Sequence, residues 1–303
     1  MSICIIFNPA ARGGRAHQWA RFLKEQHPQA ALKPTESAHG GQQAAAEAAR
    51  EGFEVIVAAG GDGTVHEVIN GLGEASDSQD RVRLGVLPMG TMNVFARELG
   101  IPLRLEEAWG VILAGYERGL DLLSVQYRAG AHPACRRFIQ MAGAGLDARA
   151  TEKVTWPLKK RLGWLAYLWT ACSAMAEEHP VIRIEGPEIQ TKGQLVLIGN
   201  GRFYGGSLVA FPAARNDDGW LDLLVLPKVS WMAVLFLSAQ LLCRKQGALR
   251  GVQSLRATHF TLSSAQRVPL ELDGEAVGEL PAAFSLAPHR LRVLAPQPRE
   301  SRS

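Results

Sequence analysis

The chain has 303 residues, enough for one large domain or two ordinary ones, and its 47% hydrophobic and 20% charged residues exclude a disordered or fibrous protein. The formal net charge of +4 suits anionic partners such as phosphates or an acidic lipid surface. Because the basic residues are scattered and form no recognised nucleic-acid module, nucleic acid is not expected as a partner.

Cysteine usage and hydropathy predict a cytoplasmic protein. The four cysteines lie far apart, without a close pair at metal-ligand spacing, which is typical of reduced, buried thiols. No basic region followed by a long apolar region occurs at the N-terminus, so no signal peptide is predicted. The most apolar segment, residues 229–243, is too short for a membrane span and is expected to be a core helix. The cysteines are Cys4, Cys135, Cys172 and Cys243.

An apolar run at residues 3–7 predicts the first strand, and a glycine-containing loop follows it before a helix-like segment. Asn8, Arg12 and Gly13 in this loop could approach a phosphate, although a surface turn with a solvated arginine explains the same residues. A short second strand would end at Thr35, whose hydroxyl could contact a ligand. The alanine-rich residues that follow, 42–50, predict a helix.

The loop from Gly60 to Thr64 is the most informative stretch of the chain. It follows a buried strand at residues 55–58 and opens a helix, for which Thr64 and Glu67 have the spacing of a capping box. Backbone N–H groups at such a loop and helix start attract an anion, most simply a phosphate. A tight strand-to-helix turn without a ligand would also explain the glycines.

Asp62 narrows the kind of anion. A carboxylate inside a phosphate cradle repels the ligand unless a divalent cation lies between them. Nucleotide with magnesium is therefore the first hypothesis for this loop. Another strand, residues 82–87, delivers a further polar loop with Gly90, Thr91 and Asn93 before a helix at residues 92–99. The carboxyl ends of such strands meet in one crevice, so these loops are expected to converge.

The second half changes from alternating helices and strands to mostly strands, which predicts a domain boundary near residue 120. Between these strands, residues 155–176 combine tryptophans with lysines and arginine, a pattern that fits either a helix at a lipid surface or one packed on the β domain. The predicted strands are 138–141, 181–184, 194–198, 221–226, 260–262 and 291–294.

Two polar segments of the second half could carry chemistry. Residues 215–222 contain several oxygen-bearing side chains that suit magnesium or calcium, although an Asn-Asp-Gly turn explains them without metal. Strand residues followed by Asp273-Gly274 predict a hairpin. A carboxylate projected from its tip, Glu275, could act as a general base.

These motifs together resemble the diacylglycerol kinase catalytic-domain family, and within it the soluble bacterial lipid kinases related to sphingosine kinases. The resemblance covers nearly the whole chain, and it is specific because six motifs occur in register. They are Asn8-Pro9 with the following glycines, Gly60–Thr64, Leu87–Asn93, Asn200 with Tyr204-Gly205-Gly206, Asp217–Asp222 and Asp273-Gly274-Glu275.

The resemblance implies an N-terminal α/β nucleotide-binding domain at residues 1–120, a C-terminal β-sandwich lipid-kinase domain at 121–295 and a polar tail at 296–303, with the active site in the cleft between the domains. It implies that Asp62 engages magnesium through water and that Glu275 is the catalytic base. The residues it implies for ATP binding are Asn8, Arg12, Gly13, Thr35, Gly60, Gly61, Asp62, Gly63, Thr64, Val65, His66, Glu67, Gly90, Thr91 and Asn93.

The same resemblance implies a structural magnesium at Asp218 and the backbone carbonyls of Arg215 and Trp220. Asp121 matches an acidic position that joins the metal network in some members. Two positions depart from the family pattern. Val94 stands where many relatives carry aspartate, and His66, which we treat as a helix-face residue, stands where asparagine is frequent.

The expected function is an ATP- and Mg²⁺-dependent kinase that phosphorylates a lipid hydroxyl, as in diacylglycerol, on a substrate at a membrane surface. The protein would be cytoplasmic and peripheral at the inner face of the membrane. The sequence leaves the oligomeric state open, with a homodimer among the options. Two alternatives are an NAD kinase, because that group shares the Gly-Gly-Asp-Gly-Thr loop, and a lipid or nucleotide sensor that transfers no phosphate.

Overall fold

The computed structural model describes residues 1–9, 27–35, 40–75, 81–153, 174–242 and 250–297, together with Trp19, Arg21 and Glu25. The chain divides into two compact units. One comprises Met1–Leu122 with Pro288–Ser303, and the other comprises Leu123–Ala287.

The first unit is built on a six-stranded sheet with the order β2-β1-β3-β4-β19-β5. The first four strands in that order are parallel, β19 is parallel to β4, and β5 is antiparallel to β19. Its central strands are continuous apolar runs, the pattern of strands buried on both faces. The strands are β1 (Ile3–Phe7), β2 (Ala31–Pro34), β3 (Val55–Gly60), β4 (Arg83–Pro88), β5 (Glu117–Leu120) and β19 (Leu291–Leu294).

Four helices accompany this sheet: α1 (Gly40–Arg50), α2 (Asp62–Glu74), α3 (Val94–Glu98) and α4 (Leu105–Ala114). Helix α1 packs its alanine face on α2. The two backbones approach so closely at Gly71 that a Cβ atom there would overlap the Gln42 carbonyl oxygen. This packing fixes α2, and with it the loop that precedes α2, against the sheet.

The second unit holds an eleven-stranded sheet that follows the path β10-β9-β16-β18-β17-β8-β11-β14-β15, with β6 paired to β18 and β7. Its strands are β6 (Leu123–Ala129), β7 (His132–Phe138), β8 (Met141–Gly145), β9 (Ile182–Glu185), β10 (Gln190–Gly193), β11 (Leu195–Gly199), β14 (Leu221–Leu226), β15 (Gln253–Ala257), β16 (His259–Ser263), β17 (Pro269–Leu272) and β18 (Glu275–Leu286). A separate two-stranded sheet pairs β12 (Phe203–Tyr204) with β13 (Leu208–Val209). The described helices are α5 (Leu146–Lys153) and α6 (Trp231–Leu242).

The predicted fold class is confirmed, since an α/β unit is followed by a mostly β unit. The return of β19 to the first sheet, between β4 and β5, was not indicated by the sequence. The predicted strand at residues 138–141 is wrong, because β7 ends at Phe138 and β8 begins at Met141. The residues between them form a turn whose backbone N–H groups donate to the Asp273 side chain of a distant hairpin, as described below.

Two further expectations are corrected. Helix α6 is not a core helix: only Leu237 and Leu241 are buried, whereas five large apolar side chains are between 49% and 74% exposed. The thiols are not all buried, since Cys135 is exposed, while burial raises the pKa of the Cys4 thiol to about 11.

The tryptophan-rich segment at 155–176 lies largely outside the described residues. Within the described ranges, no helix has both the length and the apolar character needed to cross a membrane.

Candidate active site

The loops that follow four parallel strands lie at one edge of the first sheet. Strand β1 lies between β2 and β3, and its last residue, Phe7, is paired with Pro34 and with Ala59. Hydrogen bonds continue this alignment into the loops: Thr35 N–H donates to the Phe7 carbonyl at 2.9 Å, and Asn8 N–H donates to the Ala59 carbonyl at 3.2 Å. Asn8, Thr35 and the loop of Asp62 are therefore neighbours, as expected for a ligand site of an α/β sheet.

Helix α2 begins at Asp62, with Gly61 in an extended conformation at its N-cap and no side chain capping it. The predicted capping box of Thr64 and Glu67 is therefore wrong. Thr64 is buried in the first helical turn and packs against Gly60, where a Cβ atom would overlap its hydroxyl. Without a side-chain cap, the first-turn N–H groups of α2 can be satisfied by an anionic ligand.

The other helical residues assigned to the site have packing roles. The carboxylate of Glu67 accepts the N–H of Gly41 at the start of α1, at 2.8 Å, and so ties α1 to α2. Val65 and His66 are buried, and the His66 carbonyl accepts a hydrogen bond from the Asn70 side chain at 2.9 Å. Since the side chains of Val65 and His66 are enclosed, any contact they make with a nucleotide would come from the backbone.

Gly61 and Gly90 bring the loop after β3 (the second loop, Gly60–Thr64) into contact with the loop after β4 (the third loop, residues 89–93). A Cβ atom at Gly90 would lie 2.5 Å from the Gly61 Cα, and one at Gly61 would lie 3.1 Å from the Gly90 Cα. The N–H of Met89 also donates to the Gly60 carbonyl at 2.8 Å. Because any larger residue would push the loops apart, this contact depends on glycine at both positions.

Asn93 holds the third loop in shape. It adopts a left-handed conformation, with φ of 48°, and is buried. Its carboxamide accepts the N–H of Gly90 at 2.8 Å and donates to the Gly90 carbonyl at 2.9 Å. Asn93 thus positions Gly90, while the exposed side chain of Thr91 lies at the tip of the loop. Arg12 and Gly13 lie outside the described residues.

Asp62 has a partner of its own at the start of α3. Its Oδ1 atom accepts the backbone N–H of Phe95, near the start of α3, at 3.1 Å. The carboxylate therefore ties α3 to the start of α2. The site therefore combines a carboxylate, a helix start without a side-chain cap and a close contact between two glycines. Together these features fit a phosphate that is bound with magnesium.

Asp121 is paired with a basic residue that the sequence did not suggest. It is buried, and its Oδ1 atom accepts a hydrogen bond from Arg290 Nε at 3.0 Å and forms an ion pair with Nη2 at 2.9 Å. Arg290 immediately precedes β19, which returns to the first sheet. No local pattern near Asp121 reveals this partner, because the pairing depends on that return of the chain.

The predicted hairpin is confirmed in the second unit, where β17 and β18 are joined by Asp273 and Gly274, both with positive φ. The Asp273 carboxylate accepts three backbone N–H groups from the β7–β8 turn: Oδ1 from Gln140 and Met141, each at 3.0 Å, and Oδ2 from Ile139 at 3.2 Å. These bonds turn the chain between β7 and β8, which explains why the predicted strand is interrupted. Glu275 follows as the first residue of β18 and is partly exposed.

The acidic loop at residues 215–222 is held by an arginine. Arg256, which lies opposite Asp222 in the β14–β15 pairing, forms an ion pair with Asp218 and another with Asp222 at 3.2 Å. Its guanidinium also lies 5.5 Å from the centre of the Trp220 ring. Burial raises the pKa of Asp222 to about 6, although the Arg256 charge acts in the opposite direction.

This arginine bears on the expected structural metal. The Asp218 Oδ1 atom accepts the Trp220 N–H at 3.2 Å, and the Arg215 side chain pairs with Asp217. No cluster of three or more histidine, cysteine or acidic side chains suited to a metal occurs in the described part of the chain. Arg256 supplies positive charge beside Asp218. The metal at Asp218 and the backbone carbonyls of Arg215 and Trp220 stays a prediction.

Family models match both units. Residues 2–125 match the diacylglycerol kinase catalytic domain, and residues 140–295 match the YegS C-terminal NAD kinase beta sandwich-like domain. A probable lipid kinase YegS-like protein of Pseudomonas aeruginosa strain UCBPP-PA14 is 36% identical over 261 residues, which span 82% of this chain and 79% of that protein. The chain belongs to the diacylglycerol kinase catalytic-domain family. It is a kinase, a phosphotransferase of that family.

Other relatives agree with this assignment. A probable lipid kinase YegS-like protein of Stenotrophomonas maltophilia strain K279a is 34% identical over 256 residues, which span 83% of this chain and 82% of that relative. The fold also matches a crystal structure of a putative diacylglycerol kinase from Bacillus anthracis strain Sterne. The TM-score is 0.78 and the identity is 22%, with 98% of each chain covered.

Proposed function

We propose that this kinase transfers the γ-phosphoryl group of ATP to a hydroxyl group of a lipid of the diacylglycerol type. The observation that carries the proposal is the contact between Gly61 and Gly90, which joins two loops beside Asp62 at the uncapped start of α2. A phosphate chain needs backbone N–H groups and close backbone approach, and glycine provides both.

In this proposal the N–H groups of the Gly60–Thr64 loop hold the ATP phosphates, with Asn8, Thr35 and Thr91 at the same edge of the sheet. Asp62 holds the magnesium through water, while its bond to Phe95 keeps the carboxylate in place. Bound magnesium would neutralise the charge of the phosphoryl group during transfer. Family membership and the relatives named lipid kinases support ATP and a divalent metal as the partners.

Glu275 acts in this proposal as the general base that accepts the proton of the lipid hydroxyl. It stands directly after a hairpin turn whose two residues are both anchored by hydrogen bonds. A base on a rigid turn keeps its carboxylate in one position, which favours proton transfer. Its partly exposed side chain is accessible to a substrate.

The exposed apolar face of α6 supports a lipid surface as the partner of the second unit. No charged residue occurs in α6, and the exposed basic residues Lys228 and Arg250 stand before and after it in the described chain. Apolar and aromatic side chains insert at a lipid boundary, while flanking cations attract acidic headgroups. The exposed side chains are Trp231, Met232, Leu235, Phe236 and Leu242.

Vesicle sedimentation tests this surface. We expect the wild-type kinase to sediment with phosphatidylglycerol vesicles and a Trp231→Ser/Leu235→Ser variant to remain in solution. The matched control is Leu113→Ser/Tyr116→Ser, which removes exposed apolar side chains of the first unit. Equal sedimentation of both variants would contradict the lipid contact, and a change of oligomeric state in the α6 variant alone would assign the face to a second copy of the chain.

One experiment tests the reaction and its alternatives together. Purified kinase is incubated with radiolabelled ATP, magnesium, diacylglycerol vesicles and NAD, and the labelled product is identified by chromatography. A labelled phospholipid supports the proposal. Labelled NADP alone would favour the NAD kinase, whose β-sandwich likeness is named in the C-terminal family match. ATP binding without any labelled product from these acceptors or a bacterial lipid extract would favour a sensor.

A further inference from the structure

Beneath the hairpin that carries Glu275, two acidic side chains lie against each other. Glu271 on β17 is buried, and Asp147 stands in the first turn of α5. A Cβ atom added at Gly143 of β8 would lie 2.5 Å from Asp147 Oδ2 and 2.9 Å from Glu271 Oε1. The two oxygens therefore face the same point on the backbone, where glycine leaves room for both carboxyl groups.

The remaining oxygens of the pair are occupied by donors. The Tyr204 hydroxyl donates to Asp147 Oδ1, and the Gly274 N–H donates to Glu271 Oε2 at 2.8 Å. Glu271 Oε1 is fully enclosed and receives no N–H or hydroxyl donor from the described residues. A proton between Glu271 Oε1 and Asp147 Oδ2 is the group that would satisfy this oxygen.

Among the side chains that the structure describes, no other charge compensates the pair. Strands β8 and β11, which pack on α5, carry no titratable side chain. On α5 and β18, Glu152 and Glu279 both pair with Arg267, and Arg149 pairs with Glu177. Two side chains face the pair: the hydroxyl group of Tyr204 and a third carboxylate, that of Asp273. Two carboxylates that lie against each other, with no facing cation among the side chains that the structure describes, repel each other, so one of them holds a proton.

We propose that Asp147 and Glu271 share one proton and that this protonated pair positions the Asp273–Gly274 turn, and through it Glu275. The inference rests on the proposed role of Glu275 as the base. Glu271 reaches the turn directly through the Gly274 N–H, while Asp273 fixes the other side of the turn on the β7–β8 residues. Loss of the shared proton places two negative charges below the turn, and their repulsion displaces the Gly274 anchor.

The protonation states agree with this geometry. Burial raises the pKa of Glu271 well above its ordinary value, and the neighbouring Asp147 charge raises it further. Burial also raises the pKa of Asp147, which the hydrogen bond from Tyr204 partly offsets. Because the folded pKa of Glu271 lies above its unfolded value, the folded state loses stability as the pH rises from the unfolded to the folded pKa. An alkaline limit of activity is expected where the pair loses its proton.

Infrared spectroscopy and a pH profile of activity test the pair separately. At a pH of about 7.5, where Asp222 has ionised, wild-type kinase should show the carbonyl stretch of a protonated carboxylic acid, and Glu271→Gln should lack it. The glutamine keeps both contacts of a protonated glutamate, so we expect it to retain activity within about threefold and to extend activity beyond the alkaline limit. Asp147→Asn is a second neutral mimic with the same expected profile.

Truncation of Glu271 to alanine, unlike replacement by glutamine, is expected to lower activity. Glu271→Ala should lower kcat by about tenfold to a hundredfold, since it removes the anchor of Gly274, and leave the KM for ATP unchanged. A wild-type protein without the protonated-acid band, or neutral variants with an unchanged pH profile, would overturn the proposal. Failure of Glu275 as the base would show differently: Glu275→Gln would then transfer phosphate normally, while the band would still vanish in Glu271→Gln.

Discussion

The Asp62 carboxylate accepts the backbone N–H of Phe95 at 3.1 Å, so the residue that we assign to magnesium also links the start of α2 to α3. In the proposed function this side chain has two separable roles. Its negative charge would serve the metal–nucleotide, and its oxygen accepts the hydrogen bond that holds α3. A substitution that keeps the oxygen but removes the charge distinguishes between them.

Asp62→Asn should abolish most activity without unfolding the protein. Its amide oxygen can still accept the Phe95 N–H, whereas Asp62→Ala cannot and should lower the free energy of unfolding by about 1 kcal/mol. Both variants should lose at least about 100-fold in phosphoryl transfer, because the metal loses its anionic partner. Transfer rates over a magnesium titration and urea unfolding check this. Normal Asp62→Asn activity at limiting magnesium would contradict the assignment.

Gly90→Ala should raise the KM for ATP. The added Cβ atom would lie 2.5 Å from the Gly61 Cα, so the two loops must move apart. A cost of about 1–3 kcal/mol for such overpacking corresponds to about fivefold to 150-fold in KM. Gly110→Ala on α4 is the matched control, since a Cβ atom there meets nothing within 4 Å. Steady-state kinetics with varied ATP measure the KM of each variant. Equal KM values for both variants would count against the loop contact.

Asn93→Ala should loosen the third loop. The carboxamide makes two hydrogen bonds with Gly90, and the residue adopts a positive φ that alanine disfavours. We expect the free energy of unfolding to fall by about 1–3 kcal/mol and the KM for ATP to rise. Asn93→Asp, which retains only the acceptor half of the interaction, should lie between wild type and alanine. Urea unfolding and ATP kinetics measure both effects, and wild-type values for Asn93→Ala would show that Asn93 does not brace the loop.

Asp222→Asn should change how stability depends on pH. Burial raises the pKa of Asp222 from its ordinary value of 3.8 to about 6, so the folded state binds its proton more tightly than the unfolded state does. The wild-type protein therefore loses stability from this group as the pH rises from about 4 to about 6. In Asp222→Asn that loss, on the order of 2 kcal/mol, should be absent.

Unfolding free energies at pH values of about 4 and 7 test this prediction. The control is Asp217→Asn, which removes a carboxylate of the same loop that is paired with the exposed Arg215. The quantity to compare is the change in unfolding free energy between the two pH values, taken as the difference between each variant and wild type. This comparison is needed because other carboxylates also titrate over the range. A pH dependence of Asp222→Asn that equals that of wild type would contradict the assignment of the raised pKa.

Much of the fold follows from local sequence patterns. The strands Ile3–Phe7, Leu221–Leu226 and Leu291–Leu294 have the predicted bounds, since each is an apolar run that ends at polar or turn residues. The loops after the parallel strands could also be assigned to one edge, because parallel strands share the end at which they stop. The Asp273-Gly274 hairpin was recognisable from two residues alone.

The parts that the sequence did not predict depend on distant partners. Thr64 and Glu67 have the spacing of a capping box, but Glu67 instead caps α1 through Gly41. Arg256 reaches the acidic loop only because β15 pairs with β14. Helix α6 is apolar on all sides, so its sequence cannot indicate which face is exposed.

Single-turnover transfer by Glu275→Gln tests the central claim most directly. Labelled ATP, magnesium and diacylglycerol vesicles are mixed with excess enzyme, and ATP binding is measured separately by equilibrium dialysis. We predict that wild type and the control Glu279→Gln, which changes a carboxylate further along β18, form labelled phospholipid. Glu275→Gln should be slower by at least about 100-fold while binding ATP normally. Transfer by Glu275→Gln at the wild-type rate, or the absence of any labelled lipid with wild type, would contradict the account.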